Sequence, residues 1–265
     1  MRQLVCGVLE SAGLSAVAIA DGIEALSQIR REHFDLVLLD LGLPGMHGLD
    51  IMKHLQEEES PPRVIVMTGD GAPETVLSAV RRQAYRYVVK PFEMRILLEM
   101  VQGALAAKSL PATIEVLSAK PEWVELRLPC DLESVDRIHS FMQHLDADLP
   151  LHVRESIGRA FRELLLNAIE WGGKLDPSRK VRISYLRAHR MLMYRIADPG
   201  PGFSMDTLMH TALRNPQENP LEHMEVRAEM GLRPGGFGIL LAQAMVDELI
   251  YNEARNEVVF IKYLD

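Results

Sequence analysis

Cysteine and tryptophan are scarce in this sequence of 265 residues, which contains two of each. The spacing of Cys6 and Cys130 suggests neither a disulfide framework nor a metal site. Because disulfides are typical of secreted proteins, their expected absence predicts a reduced, cytoplasmic protein.

Long apolar runs and an excess of basic residues are also lacking. The run closest to a membrane span, Leu36 to Leu43, contains Asp40 and is far shorter than the ~20 residues that a spanning helix needs. The first apolar stretch is interrupted by Arg2, Gln3 and Glu10, so no signal peptide is expected. Lysine and arginine number 29 against 37 acidic residues, a net charge of -8 that argues against a nucleic-acid partner. We therefore expect neither a membrane nor a nucleic acid among the partners.

The first hundred residues alternate short apolar runs with segments of helical periodicity. Continuous apolar runs at Leu36–Leu39, Val64–Met67 and Tyr87–Val89 are typical of strands that are buried on both faces. Ser15–Ala20 is a further strand candidate, and a last helix contains Ile96 to Val101. This alternation predicts an α/β doubly wound fold, in which helices cover a parallel sheet.

A change in composition separates the two halves. Prolines and small polar residues interrupt the rhythm over 108–121, so this stretch is predicted as a linker between domains at 1–107 and 122–265. Within it, Thr113 to Leu117 could still pair as a strand. The second half groups strands beside separate helices, which predicts an α+β two-layer sandwich. The stretch from Ser204 to Pro234 is long for a plain loop and is interpreted as a lid.

Three strand ends in the first half have polar side chains. Asp40 and Thr68 end their apolar runs, and Lys90 directly follows the third. Because the carboxyl ends of parallel strands meet at one edge of a sheet, these groups are expected to converge. A carboxylate can accept a phosphoryl group, and a cation and a hydroxyl can stabilise the developing charge. Each residue alone would be read as a loop cap or a solvated charge, but together they favour a phosphoacceptor site.

This half closely resembles response regulator receiver domains, which have a flavodoxin-like fold. The resemblance lies in two strings, Asp35-Leu-Val-Leu-Leu-Asp40-Leu-Gly-Leu-Pro44-Gly-Met-His-Gly48 and Lys90-Pro91-Phe92. It implies that Asp40 is the phosphoacceptor, that Thr68 and Tyr87 are the switch pair and that Lys90 contacts the phosphoryl group. It also implies a sensor histidine kinase or another phosphodonor as partner.

The first strand of a receiver, which ends in an acidic pair that holds Mg²⁺, is missing from this sequence. Met1 falls where the first helix should already be under way. Loss of a central strand would expose unpaired strand edges, so one interpretation makes Met1 an internal methionine with the true start upstream. The other is a degenerate receiver that neither binds Mg²⁺ nor is phosphorylated. Magnesium binding at Asp40 is therefore left open.

Three segments of the second half have polar residues or glycines at helix and strand ends. Glu163 and Asn167 share one face of a long helix, where the amide could coordinate Mg²⁺ and the carboxylate could orient or deprotonate a hydroxyl. Asp198 follows a strand and could accept the adenine amino hydrogen bond, while Gly200 and Gly202 allow close backbone approach.

The third segment contains Gly235, Gly236 and Gly238 just before a helix, a typical phosphate site. Taken singly, the segments could be an exposed helix face, an ordinary Asp-Pro-Gly turn and a plain loop. In this order and spacing they resemble the N, G1 and G2 boxes of GHKL ATPases, and the nearest likeness is to anti-sigma-factor serine/threonine kinases.

The second resemblance implies ATP and Mg²⁺ as cofactors, with Glu163 as base, Asn167 as the Mg²⁺ ligand and Asp198 as the residue that recognises adenine. It also implies an anti-anti-sigma (STAS-type) protein, a sigma factor or both as partners. Trp171 is a departure, because these kinases often have histidine there.

We therefore expect a bacterial response regulator whose phosphorylatable receiver controls an ATP-binding serine/threonine kinase domain. One alternative is a non-catalytic ATP-binding scaffold for partner switching, and another is a histidine-kinase-related ATPase acting in trans. An autophosphorylating histidine kinase is disfavoured, because neither His139 nor His144 lies in a phosphoacceptor string. By analogy, the helix at Ile96 to Val101 could form a homodimer.

Overall fold

A computed structural model describes residues 1–107, 113–204, 211, 221–229 and 236–264. The chain divides into two compact units, Met1–Pro111 and Ala112–Asp265. No helix in the described ranges is both long and apolar enough to cross a membrane.

The first unit contains a parallel sheet with the strand order β1-β2-β3. Its strands are β1 (Leu36–Asp40), β2 (Arg63–Thr68) and β3 (Arg86–Val89). Its helices are α1 (Arg2–Ser11), α2 (Gly22–Arg31), α3 (Gly48–Leu55), α4 (Pro73–Arg81) and α5 (Met94–Ala106). The central strand β2 is buried from Val64 to Thr68, as expected for a parallel sheet covered by helices. The predicted doubly wound α/β fold is confirmed.

Two predictions for this unit, a strand at Ser15–Ala20 and burial of the whole of β1, are wrong. Ser15–Ala20 forms no strand in the structure, and Val17 within it is 57% exposed. In β1 only Leu39 is fully buried, whereas burial on both faces was expected for the whole run. A strand needs a hydrogen-bonded neighbour, and β1 pairs only with β2 among the described residues. The apolar pattern is thus present without the partner strand that would bury it.

The second unit contains a six-stranded antiparallel sheet with the order β4-β5-β6-β7-β9-β8. Its strands are β4 (Glu115–Lys120), β5 (Trp123–Pro129), β6 (Lys180–Ala188), β7 (Met191–Ala197), β8 (Glu248–Tyr251) and β9 (Glu257–Tyr263). Alternate residues of the central strands are buried, which agrees with the predicted two-layer sandwich.

Strand β4 lies inside the predicted linker, so 108–121 is not a free connection over its second half. A two-residue turn at Pro121 and Glu122 joins β4 to β5, and the two strands pair in an antiparallel ladder. The prolines that suggested a linker therefore flank a hairpin strand.

The helices of this unit are α6 (Leu132–Leu145), α7 (Leu151–Asn167), α8 (Glu222–Glu229) and α9 (Gly238–Met245). Helix α7 continues without a break into a π-helical turn, Ala168–Gly172. Helix α8 occupies part of the segment predicted as a lid, and most of that segment lies outside the described residues.

Aromatic rings connect α7 to the middle of the sheet. The Tyr194 ring of β7 stacks on Phe260 of β9 at a centroid distance of 4.9 Å, and Phe161 of α7 lies 5.3 Å from Tyr194. All three side chains are almost completely buried. This packing holds α7 against β7, so the polar residues near the end of α7 have a defined position relative to the strand end.

Candidate functional sites

The carboxylate of Asp40 lies at the carboxyl end of β1, where it forms an ion pair with Lys90, directly after β3. Its other oxygen accepts a hydrogen bond from the Gly42 N–H at 3.2 Å. The two charged side chains are 35% and 24% exposed, so both are reachable from solvent. The structure thus brings together Asp40 and Lys90, which the sequence placed at successive strand ends.

Thr68 and Tyr87 are both hydrogen-bonded to Asp70, a residue that the sequence reasoning missed. The Thr68 hydroxyl oxygen accepts a hydrogen bond from the Asp70 N–H at 3.0 Å, and the Tyr87 hydroxyl donates to the Asp70 carbonyl at 2.6 Å. The Asp70 carboxylate accepts from the Thr75 hydroxyl at 2.6 Å and from the Ala72 N–H at 2.9 Å. Because Thr75 lies in α4, one loop links the predicted switch pair to a helix start.

The Tyr87 side chain is completely buried. Burial, followed by the nearby Asp70 charge, raises the pKa of Tyr87 well above its usual value. The hydroxyl therefore stays protonated and acts as a donor. An aspartate two residues after a strand end and just before a helix was the available sequence signal for Asp70.

The surroundings of Asp40 do not fit a resident metal ion. The described part of the chain contains no group of three or more acidic, histidine or cysteine side chains suited to a cation. The Asp40 oxygens are already bound by Lys90 and the Gly42 N–H. Metal binding is therefore not assigned to Asp40.

In the second unit, Glu163 and Asn167 on α7 face the first turn of α9. A Cβ atom at Gly238 would lie 2.8 Å from Glu163 Oε2 and 3.5 Å from Asn167 Nδ2. Glycine at this position therefore lets the start of α9 approach both polar side chains. These three residues were predicted from separate segments, and the structure brings them together.

Asp198 directly follows β7 and lies against the π-helical turn at the end of α7. Its Oδ1 atom accepts a hydrogen bond from the Gly200 N–H at 2.7 Å, and a Cβ atom at Gly172 would overlap the carboxylate. Burial raises the pKa of Asp198 above its ordinary value. Gly172 lies in this π-helical turn, a conformation that is frequent at functional sites.

Of the remaining predicted glycines, the structure describes Gly202 and Gly236. Gly202 has a φ angle of +85°, and a Cβ atom there would overlap the Ala254 carbonyl oxygen. Gly236 has a φ angle of +97° and lies two residues before α9. Gly235 lies outside the described residues.

The donor set on α7 fits Mg²⁺ carried by a nucleotide. Mg²⁺ usually keeps several waters and takes its remaining ligands from substrate phosphates and one or two protein oxygens. One amide oxygen from Asn167 meets that requirement, and the glycine-flanked start of α9 presents backbone N–H groups suited to phosphate. The arrangement thus places the predicted Mg²⁺ ligand beside the predicted phosphate segment.

The two histidines considered as phosphoacceptors lie on α6. Both are partly buried, and His144 Nδ1 lies 2.7 Å from the Ser140 carbonyl oxygen. Burial lowers the pKa of His144. These surroundings suit a packing role.

Comparison with known families gives two matches in consecutive parts of the chain. The family model of the response regulator receiver domain matches residues 1–102. The family model of the histidine kinase-like ATPase domain matches residues 128–262, about half of the chain.

Similar proteins include several regulators. The DNA-binding response regulator MtrA of Mycobacterium leprae is 28% identical over 173 residues, which cover 65% of this chain and 75% of MtrA. Sporulation initiation phosphotransferase F of Bacillus subtilis is 32% identical over 109 residues, which cover 41% of this chain and 88% of that protein. Among solved structures, the receiver domain of NtrX from Brucella abortus is 31% identical, with a TM-score of 0.38 over 40% of this chain and 90% of that chain. The two family models show that the chain combines a response regulator receiver domain with a histidine kinase-like ATPase domain, and by the second of them it belongs to the histidine kinase-like ATPase family.

Proposed function

We propose that this protein is a cytoplasmic signalling regulator in which phosphorylation of Asp40 controls an ATP-dependent serine/threonine kinase domain. One observation carries the kinase part: Glu163 and Asn167 face the start of α9, while the turn that ends the same helix lies against Asp198. A single helical run thus presents a carboxylate and an amide, and its π-helical end meets the aspartate that would bind the base. This is the set that binding of Mg-ATP and transfer to a hydroxyl require.

In the receiver, an Asp40 oxygen attacks the phosphorus of a phosphodonor, and the bond between phosphorus and the donor breaks. Lys90, already paired with Asp40, stabilises the added negative charge. The Thr68 hydroxyl is near the same strand ends and would turn its proton toward the phosphoryl oxygen. Movement of the Thr68 hydroxyl toward the phosphoryl oxygen would pull on the loop that Asp70 ties to Thr68 and Tyr87, because the Thr68 oxygen accepts from the Asp70 N–H.

In the ATPase domain, Asp198 would accept the adenine amino hydrogen bond, and Asn167 would hold the Mg²⁺ that accompanies the phosphates. Bound Mg²⁺ would neutralise charge on the phosphate oxygens. Glu163 would orient the hydroxyl of the protein substrate and take its proton as the oxygen attacks the γ-phosphorus, while the bond from the γ-phosphorus to the β-γ bridging oxygen breaks and ADP leaves. The Gly235 to Gly238 segment, together with the N-terminus of α9, supports the phosphates.

The substrate that we propose is a serine or threonine on an anti-anti-sigma protein of the STAS type, with a sigma factor as an additional or competing partner. A sensor histidine kinase or a small phosphodonor would supply the phosphoryl group to Asp40 of the receiver. The support is the resemblance of residues 122–265 to anti-sigma-factor kinases, together with the position of Glu163 beside Asn167.

The Glu163→Gln substitution tests the kinase role. The full chain is incubated with γ-labelled ATP and a STAS-type protein from the source bacterium. We expect transfer by the wild type and a loss of about 10²–10⁴-fold in the variant, with unchanged ATP affinity, because a general base contributes about that much. A wild type that binds ATP without transferring phosphate, or a variant with full output, would contradict the kinase role.

One observation favours a second candidate, a non-catalytic ATP-binding scaffold. Trp171 stands next to Gly172 where the related kinases often have histidine, and Lys174 lies 5.9 Å from its ring centroid. A scaffold would respond to ATP binding alone, so the Glu163→Gln variant would keep its partner-binding response in full.

A further inference from the structure

Asn256, directly before β9, forms hydrogen bonds with the loop that contains Asp198. The β7 ladder ends at Ala197, which pairs with Glu257. Beyond it, the Asp198 N–H donates to the Asn256 carbonyl at 2.8 Å, and the Asn256 side-chain amide donates to the Gly200 carbonyl at 3.0 Å. One residue therefore bonds the chain on both sides of Pro199, which has no N–H of its own.

The side chain of Asn256 is itself oriented by Asn252. The Asn252 amide nitrogen donates to Asn256 Oδ1 at 2.8 Å, and Asn252 Oδ1 accepts from the backbone N–H of Asn256 at 3.1 Å and of Glu257 at 3.2 Å. Because the oxygen of the Asn256 amide faces Asn252, its nitrogen faces Gly200. Side chains of the turn between β8 and β9, Asn252–Asn256, thus form hydrogen bonds within the turn. They leave the Asn256 amide nitrogen directed at the Gly200 carbonyl.

A second attachment lies on the other side of the loop. The Phe203 N–H donates to the Ala254 carbonyl at 3.2 Å, and the Phe203 ring meets Tyr251 edge to face at 5.6 Å. Opposite the turn, the Arg179 guanidinium donates to the Pro199 carbonyl at 2.6 Å. None of these contacts involves Glu163, Asn167 or Gly238, the residues assigned to the phosphate end of the proposed site.

We propose that Asn256 is a positioning residue for adenine recognition, and that the Asn252–Asn256 turn sets the direction of the Asp198 carboxylate. This inference rests on the proposed binding of ATP. A hydrogen bond to the adenine amino group needs a narrow range of distance and angle. Loss of the Asn256 amide donor would let the loop move, so recognition of the base would weaken while the contacts of Asn167 and α9 with phosphate persist.

The test compares nucleotide selectivity in two variants of the full chain. Asn256→Asp keeps the size and the acceptor oxygen but loses the donor to Gly200, and Asn256→Ala removes both. Glu253→Ala is the matched control, because Glu253 lies in the same turn with an exposed side chain. The affinities for Mg-ATP and for Mg-inosine triphosphate, which has a carbonyl in place of the amino group, are measured by calorimetry together with the melting temperature.

We expect the wild type and Glu253→Ala to prefer ATP, and both Asn256 variants to lose about tenfold in ATP affinity, the worth of one hydrogen bond, with little change for inosine triphosphate. Folded Asn256 variants with the wild-type selectivity ratio would overturn the inference, and so would unfolding of both variants, which would make the turn a general support of the fold. A wild type that binds ATP without preference over inosine triphosphate would also overturn it. A wild type that binds neither nucleotide would instead overturn the proposed function itself.

Discussion

Gly172 determines how closely the end of the long helix can approach Asp198. A Cβ atom at Gly172 would overlap the carboxylate, and a Cβ atom at Gly200 would lie 2.9 Å from the Gly172 Cα. Two glycines thus allow the π-helical turn and the Asp198 loop to touch. Because the atoms nearest to a Cβ at Gly172 are those of the Asp198 side chain, any side chain at Gly172 must displace the carboxylate.

We expect Gly172→Ala to lower ATP affinity at least about tenfold, because the added methyl group removes the carboxylate from its position. Gly103→Ala in α5 is the control, because a Cβ atom there meets nothing within 4 Å. The control should bind ATP normally and gain about 0.5–1 kcal/mol of stability. Calorimetry and thermal unfolding check both, and wild-type affinity in Gly172→Ala would show that Asp198 needs no such contact.

Functional residues at strand ends were predictable from the sequence. Residues whose role depends on contact between elements that are distant in sequence were not. The apolar runs before Asp40, Thr68 and Lys90 showed where each strand ends, and parallel strands bring such ends together. Gly172 lies in a glycine pair that resembles any helix end. Its role arises only because β7 delivers Asp198 to the same place.

At the scale of elements, a buried aspartate joins α6 to the sheet. Asp146 follows α6 and is 3% exposed, and its two oxygens accept hydrogen bonds from Tyr185 at 2.7 Å and Tyr194 at 2.8 Å. Burial raises the pKa of Asp146 despite these donors. Two residues later, the hydrogen bond from Arg187 lowers the pKa of the exposed Asp148. The pKa values of these two neighbouring aspartates are thus shifted in opposite directions.

These shifts predict opposite pH dependences. A raised pKa means that the folded state holds the Asp146 proton more tightly, so this contribution to stability is complete below the unfolded pKa and is lost as pH rises through the folded pKa. The free energy of unfolding of the wild type minus that of Asp146→Asn should therefore fall as pH rises from about 4, close to the unfolded value. For Asp148→Asn the same difference should instead grow as pH rises toward about 4 and stay level above it, because the contribution of a group with a lowered pKa is complete above the unfolded value. Urea unfolding over a pH series tests both signs, and equal trends in the two variants would contradict the assignment.

Helices and strands whose own apolar pattern is complete were predictable from the sequence. Strands that form only by pairing with a neighbouring strand were not. Alternating apolar residues in β5 and apolar residues at helical spacing in α7 indicate both elements from the sequence alone, because each buries its apolar face within one unit. Ser15–Ala20 has a strand composition but no pairing partner among the described residues. Strand β4 overlaps the strand considered at Thr113 to Leu117, but flanking prolines obscured its extent, and it needs β5 to form its ladder.

At the scale of the whole molecule, the chain consists of a receiver unit and an ATPase unit that the sequence already distinguished. The proposed control requires that phosphorylation of the first changes the second. We expect a beryllium fluoride mimic of the aspartyl phosphate to change Mg-ATP affinity or kinase rate at least about fivefold, the usual lower range of coupling between sites.

The Asp40→Asn variant is the control for this coupling, because it cannot form the aspartyl phosphate mimic. Its ATP affinity and kinase rate should not respond to beryllium fluoride. If the wild type is equally insensitive, the receiver does not control the ATPase domain, and the coupling is abandoned.

The most direct test of the account is calorimetric titration of the full chain with ATP in the presence of Mg²⁺, with Asp198→Asn as the comparison. We expect micromolar binding by the wild type and its loss in the variant, since an amide presents a donor where the adenine amino group needs an acceptor. Absence of binding by the wild type, or equal affinity in the variant, would contradict the nucleotide site and the proposed kinase built on it.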